Sequence, residues 1–170
     1  VNLNSAPIVM GTLMDLEYEE SYIKTLLFNL RANCPMEGLI EEFEKRNKLI
    51  VMESWLEARM AEGNQLPALH NALAKLKIDT NQNPQDFLIN NQYYDSKVVG
   101  KYCEERDPHL AYTAYKKAWG QCDMELIEVT NKNSLYRLQA RYLVERQSKE
   151  LWAHVLSPDN PHKKAIVEQV

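Results

Sequence analysis

Tyr93-Tyr94-Asp95-Ser96-Lys97-Val98-Val99-Gly100-Lys101-Tyr102-Cys103-Glu104-Glu105-Arg106-Asp107-Pro108-His109-Leu110-Ala111-Tyr112-Thr113-Ala114-Tyr115 reads as two helices and the joint between them. Val98, Val99, Tyr102 and Cys103 fall at i, i+1, i+4 and i+5, one apolar stripe on a 3.6-residue period. Asp107-Pro108 ends that helix and begins another. Proline disfavours helical geometry at the residue before it and suits a first helical turn, and the Asp carboxylate can accept the N–H groups left unpaired there. Leu110, Ala111, Ala114, Tyr115 and Ala118 repeat the stripe in the second helix. The stretch predicts a helical hairpin with both apolar faces turned to neighbours.

The same grammar runs through the whole chain. Pro7, Pro35, Pro67, Pro84, Pro108 and Pro161 each precede an apolar-periodic segment and Pro158 follows one. Three of the starts are Asx-Pro: Asn83-Pro84, Asp107-Pro108 and Asn160-Pro161. A first helix spans about Ala6 to Met14, before an acidic joint from Asp15 to Glu20. Tyr22, Ile23, Leu26, Leu27 and Leu30 mark the second helix, and Met36, Leu39, Ile40 and Phe43 the third. Leu49, Met52, Trp55, Leu56 and Met60 mark a fourth, capped by Gly63. Leu69, Ala72, Leu73 and Leu76 line a fifth, and Phe87 and Leu88 a short one. Beyond the central hairpin come a helix with Met124, Leu126 and Ile127, and one opened by Asn133-Ser134. The latter has two stripes, Leu135, Leu138, Tyr142 and Tyr136, Ala140, Leu143, which implies two neighbours. Leu151, Trp152, Val155 and Leu156, then Ile166, Val167 and Val170, complete about twelve helices. No strand is predicted.

Helices of ~10 to 13 residues are ~15 to 20 Å long, too short and too numerous for a four-helix bundle. Stacked antiparallel pairs are the solution that buries every stripe. The expected fold is all-α, an α-α superhelix: a right-handed solenoid forming a single segment over residues 1–170. Composition agrees. The 170 residues are 45% hydrophobic and 26% charged, with five Gly and seven Pro, too few turn residues for a sandwich or barrel. A net charge of −4 lacks the basic surface that nucleic acid demands. Cys34, Cys103 and Cys122 are odd in number and widely spaced, so they read as buried thiols in a reducing compartment. No apolar run approaches the ~20 residues of a membrane-spanning helix, and Val1-Asn2-Leu3-Asn4 carries no signal-peptide pattern. With no initiator Met and an apolar C-terminal stripe, the chain reads as a piece of something longer.

Candidates for chemistry resolve into structural roles. His70, His109, His154 and His162 have no His or Cys at i+3 or i+4, so no helix presents a metal pair. His109 reads as a surface or capping histidine. Gly100-Lys101 lacks the rest of a phosphate loop, and Gly100 marks close helix packing. Glu41, Glu42 and Glu44, followed by Lys45 and Arg46, read as a solvated helix face. The tyrosines around the hairpin, Tyr93, Tyr94, Tyr102, Tyr112, Tyr115, Tyr136 and Tyr142, suit a core first and a partner surface second. The expectation is no catalytic, cofactor-binding or metal residue.

Several of these blocks resemble one family. Tyr93 to Cys103, Arg106-Asp107-Pro108-His109-Leu110-Ala111, Gly120-Gln121-Cys122-Asp123, Asn131 to Leu135, Ala140 to Arg146 and Val167-Glu168-Gln169-Val170 are similar to the leg of the clathrin heavy chain. So are Glu44-Lys45-Arg46-Asn47, Trp55 to Arg59 and His70-Asn71-Ala72-Leu73-Ala74-Lys75. The resemblance covers well over half of the chain, while the first thirty-odd residues match more weakly. Lys116-Lys117-Ala118-Trp119 is longer than the family pattern. The resemblance implies a distal leg segment of a three-legged coat protein on the cytoplasmic face of coated pits and vesicles. Its partners would be other clathrin heavy-chain legs, in the homotrimer and the lattice. The light chain would bind the full-length chain outside this segment, and no cofactor or catalysis is implied.

Two other readings compete. Ala111 to Ala118 has the flavour of a tetratricopeptide second helix, the peptide-binding alternative, but no 34-residue self-similarity recurs. A helical enzyme lacks a converging polar set. The solenoid predicts a radius of gyration above the ~15 to 16 Å of a compact globule of this length. Small-angle scattering measures it, and a value at that figure rejects the rod.

Overall fold

The computed structural model describes residues 2–31 and 33–170, so Val1 of the opening stretch lies outside it. Among the described residues there are twelve α-helices and no strand. They are α1 (Ala6–Asp15), α2 (Glu20–Phe28), α3 (Met36–Glu44), α4 (Glu53–Ala61), α5 (Pro67–Thr80), α6 (Pro84–Asn90), α7 (Ser96–Cys103), α8 (Pro108–Lys117), α9 (Asp123–Lys132), α10 (Tyr136–Arg146), α11 (Lys149–Val155) and α12 (Lys163–Val167). Short 3-10 helices cover Leu3–Ser5 and Leu49–Met52. The chain divides into two compact units, Val1–Asp95 and Ser96–Val170.

In the first unit α1 packs on α3 and α3 on α5, while α4 and α6 lie against α5. Packing of each helix on the next but one is how repeated helix pairs bury both faces. The core runs from Met10 and Met14 through Ile23, Leu27, Leu39, Phe43, Met52 and Leu56 to Leu69, Leu73 and Leu76. In the second unit α7 packs on α8, α8 on α9, α9 on α10, and α10 on α12. Ile127, Ala140, Leu143, Leu151, Val155 and Ile166 form one buried cluster there.

The prolines fall where expected. Pro7, Pro67, Pro84 and Pro108 sit in first helical turns, and Pro35 immediately precedes α3. Of the Asx-Pro pairs, Asp107 is a full N-cap whose carboxylate accepts from the N–H groups of His109 and Leu110. The other two differ. Asn83 is left-handed at φ 48° with no side-chain cap bond, and Asn160 instead accepts the His162 N–H at 3.0 Å, one turn before α12.

Helix ends are closed by one device used repeatedly. Gly63 is left-handed at φ 85°; its N–H donates to Met60 O, and the Asn64 N–H to Arg59 O. This pair of bonds is the Schellman cap. Glu17, Asn47, Asn81 and Ser134 build the same cap at φ 53° to 58° without glycine. Asn133-Ser134 therefore closes α9 rather than opening α10. The turn after Asn47 also resolves the expected fourth helix into the Leu49–Met52 3-10 turn and α4. At the longer stretch, α8 stops at Lys117, and Trp119 adopts φ 22° before Gly120 at φ 91°.

Several stripes rotate by one position. In α7 the buried residues are Val99, Gly100 and Cys103, while Val98 is exposed. In α9 Leu126 and Ile127 are buried and Met124 is exposed. Tyr22, Leu156, Val167 and Val170 are also exposed, whereas Ile166 is fully buried against α10. All three cysteines are buried.

Gly100 sets the tightest approach in the second unit. A methyl group there would sit 2.4 Å from the ring of Tyr115, which is 1% exposed and donates its hydroxyl to Glu104. The ring has no room to yield. Overpacking costs about 1–3 kcal/mol and the helix propensity of alanine returns up to ~1. Gly100→Ala should therefore lower stability by about 1–2 kcal/mol, read as a Tm drop of a few degrees by thermal denaturation. An unchanged or raised Tm would show that α7 and α8 can separate freely.

Candidate interaction surface

Among the described residues no group of three or more His, Cys, Asp or Glu is placed to hold a metal ion, and no helix is long and apolar enough to cross a membrane. The ionisable groups converge on one another in pairs that join helices. Arg46, just after α3, reaches α1: its Nε and Nη2 donate to the two oxygens of Asp15, each at 2.8 Å. Its Nη1 donates to Glu42, one turn back. Hydrogen bonds from Arg46 hold both carboxyls below their usual range. Glu44 takes Lys75 of α5, and Glu57 of α4 takes Lys77 at 2.9 Å. Of the acids expected on a solvated face, Glu41 is exposed and carries no ion pair among the described residues, whereas Glu42 pairs with Arg46 and the exposed Glu44 with Lys75.

A second network closes the helix end at Trp119. Asp123, in the first turn of α9, accepts from the Tyr142 hydroxyl and from Arg146 Nε and Nη2 of α10, the latter at 3.1 Å. The Arg146 guanidinium lies 5.5 Å from the Trp119 ring centre, and Tyr142 meets that ring edge-on at 5.6 Å. Burial raises the Asp123 carboxyl, but the bonds from Arg146 and Tyr142 outweigh it and hold the group below its ordinary value. Burial and the Asp123 bond push the Tyr142 phenol up to about 12.

The buried polar residues were not visible in the apolar pattern. His70 is buried, with Nε2 2.7 Å from Asn64 O and Nδ1 2.8 Å from Asn91 Nδ2. Only the Nε2–H tautomer satisfies both, since an Asn amide nitrogen can only donate. Gln139 is fully buried on α10, its amide nitrogen 2.7 Å from Thr130 Oγ1 and 2.8 Å from Asn131 Oδ1. The phase of α10 placed position 139 on the buried face beside Tyr142 and Leu143; the amide hid it. His109 is exposed beside its capping Asp107, and His162 Nδ1 bonds the Tyr136 hydroxyl at 2.8 Å. Tyr94, Tyr112, Tyr115 and Tyr142 are core residues, and Tyr93 is exposed.

Clefts are shallow or apolar. One of about 300 Å³ is lined by Leu3, Val9, Met10, Leu26 and Leu30, and another of about 440 Å³ by Met60, Lys77, Asp86 and Phe87. On the outer surface, exposed apolar side chains such as Ile8, Phe28 and Val144 are interspersed with charge.

Fold and surface together define a class: an all-α protein of stacked short helices joined by cross-helix ion pairs. The family follows from comparison. A family model described as the region in clathrin and VPS matches residues 27–166. Over its whole length the chain is 56% identical to the clathrin heavy chain of Dictyostelium discoideum, 52% to that of Drosophila melanogaster and 51% to clathrin heavy chain 2 of Homo sapiens. The chain belongs to the clathrin repeat family, and it spans about a tenth of the length of these relatives. The tetratricopeptide-like alternative is not favoured.

The Asp123 carboxyl gives a pH prediction. Its folded pKa is depressed, so its contribution is complete above the unfolded value of about 3.9 and is lost as pH falls through the lower folded value. Asp123→Asn should lose about 1.5–3 kcal/mol at pH 7, the range for a hydrogen bond to a charged group. Urea denaturation should show the gap to the parent chain narrowing below pH ~4. A gap constant from pH 7 to 3 would contradict the ion pair.

Proposed function

We propose that this chain is a strut in the leg of a clathrin heavy chain, a single distal segment that lies against other heavy-chain legs in the edges of a polyhedral coat. The observation that carries the reading is 56% identity across all 170 residues to a protein named as a clathrin heavy chain. The physical chemistry is consistent with a mechanical task. Stacked short helices tied by cross-helix ion pairs resist bending, and an exterior of mixed charge and single apolar residues suits many weak contacts. Such contacts sum through multivalency, so a lattice can be strong and still come apart. In this reading the segment works on the cytoplasmic face of coated vesicles, with light chains bound elsewhere on the longer protein, and it takes no cofactor.

The test is competition. The isolated 170-residue chain, added in large excess to an assembling preparation of full-length heavy chain, should occupy leg contacts and reduce the yield of closed lattices seen by electron microscopy. Undiminished lattice yield at a hundredfold excess would count against the strut. Submicromolar binding of a short peptide along one face would point instead to a peptide-binding solenoid.

A further inference from the structure

Several described residues other than glycine have a positive φ, and Trp119 is the only aromatic among them. At φ 22° it lies at the edge of the left-handed region, where a bulky side chain is strained. The turn holds it there: the Trp119 N–H donates to Lys116 O at 3.1 Å, and the Gly120 N–H donates to the Tyr142 hydroxyl at 3.4 Å. Strain persists only where the surroundings impose it, and it serves either burial or binding. Burial does not account for it here. Trp119 is 48% exposed, whereas Trp55 is 3% exposed. The indole rests on the Arg146 guanidinium and the edge of Tyr142, and nearly half of the residue stays open to solvent.

The surroundings of this ring are cationic. Lys116 and Lys117 form the last turn of α8, two and three residues before Trp119, and Lys117 is exposed. The end of α10 meets them: Lys116 Nζ lies 2.8 Å from a Glu145 oxygen, and the next residue, Arg146, reaches the indole. Burial pushes the Tyr112 phenol of α8 up, and Lys116 and the exposed Arg141 pull against it, which places Arg141 on the same side of α8 as Lys116. Lys116, Lys117, Arg141 and Arg146 thus share this helix end with Glu145 and Asp123. Both carboxylates are already engaged, Glu145 by Lys116 and Asp123 by Arg146. What covers the open indole must therefore bring negative charge to the rim and an apolar group to the ring.

We propose that Trp119 and its cationic rim are a docking point for an acidic peptide segment of another protein, which lays an aliphatic or proline side chain on the open indole and sets its carboxylates against Lys117 and Arg141. Tryptophan and arginine at the centre of a contact are where binding energy concentrates. A basic segment would be repelled by the rim, and a purely acidic one would leave the indole wet. An anionic lipid surface matches the charge, but it takes up an aromatic ring that projects; here Arg146 and Tyr142 hold the indole against α10. A contact made by one ring and a few charges fits a Kd of about 10–100 µM. All the residues belong to the unit Ser96–Val170, and the inference goes beyond the strut reading without depending on it.

The test is a titration of the 170-residue chain with a fluorescein-labelled synthetic peptide of repeated Glu-Glu-Leu-Pro, read by anisotropy and by the indole N–H signals in NMR spectra. The parent should bind at about 10–100 µM, shift the Trp119 indole signal while that of buried Trp55 stays in place, and lose about tenfold in affinity between ~20 and ~300 mM salt. Asparagine tolerates the left-handed region, so Trp119→Asn should melt within a few degrees of the parent and bind at least about tenfold more weakly. Lys117→Glu with Arg141→Glu should weaken binding by a similar factor. A peptide with lysine for glutamate should not bind, and one with glycine for leucine and proline should bind at least about tenfold more weakly. The inference is overturned by an acidic peptide that leaves the parent untouched, by equal binding to folded Trp119→Asn, or by capture of the parent on phosphatidylserine vesicles that the peptide does not displace. A Trp119→Asn chain that melts far below the parent yet binds the peptide as well would make the indole a structural cap alone. Peptide binding alongside failed lattice competition would sink the strut and keep the site; the reverse pattern would sink the site alone.

Discussion

An isolated helix shorter than ~12–15 residues is marginal in water because nucleation costs more than a few hydrogen bonds return. The helices of this chain run from five to fourteen residues, so nearly every one depends on its neighbour for its existence. Seven-residue α11 is held by Leu151 and Val155, and five-residue α12 by Ile166 alone among fully buried side chains. Each such burial contributes about 1.5–3 kcal/mol, enough to hold a short helix only while the partner face stays in place. The packing of α1 on α3, α3 on α5, and α10 on α12 follows from this requirement.

How much of this was legible depended on which residues carry each signal. Proline constrains its own backbone and its predecessor's whatever the surroundings, so all seven prolines marked helix boundaries correctly. Helix ends were harder, because only Gly63 among the Schellman caps is glycine. Glu17, Asn47, Asn81 and Ser134 take the left-handed conformation at a local cost of ~1–2 kcal/mol, met by two backbone hydrogen bonds per cap. That conformation is imposed by packing on either side, and nothing in a Glu or a Ser announces it. The misplacement of Asn133-Ser134 and the division at Leu49–Met52 both trace to such a cap. Stripe phases failed for a related reason. In α7 the closest neighbour approaches over Gly100, which a hydrophobic count scores as blank, so Val98 was placed inward when Val99 and Cys103 flank the contact.

The candidate surface was less legible than the fold. Apolar periodicity finds what is buried by size, and it passes over His70, Gln139 and Thr130, which are buried by hydrogen bonding. It also reads a run such as Glu41 to Arg46 as a solvated face, because ion pairing to another helix depends on where that helix lies. Asp15 and Arg46 are thirty-one residues apart and meet only through the packing of α1 on α3.

Many weak contacts add up only if they are presented in fixed positions, since each degree of freedom in the scaffold lowers the effective concentration of the next contact. The loop that leaves the first unit shows how such stiffness is obtained from short polar side chains. Asn91 Oδ1 accepts the N–H groups of Tyr93 and Tyr94, while its amide nitrogen donates to buried His70. The Tyr94 hydroxyl donates to Leu88 O at 2.7 Å, and the Asp95 N–H donates to Asn71 Oδ1 of α5 at the same distance. A five-residue connection is thus tied down at Asn91, Tyr93, Tyr94 and Asp95 onto helices that are themselves held by burial. His70 can anchor this loop because both of its ring nitrogens are engaged, and an apolar residue of similar size would leave Asn64 O and the Asn91 amide unanswered in a dry site. Buried polarity here therefore fixes the course of the loop that ends the first unit, tying it to α5 and α6.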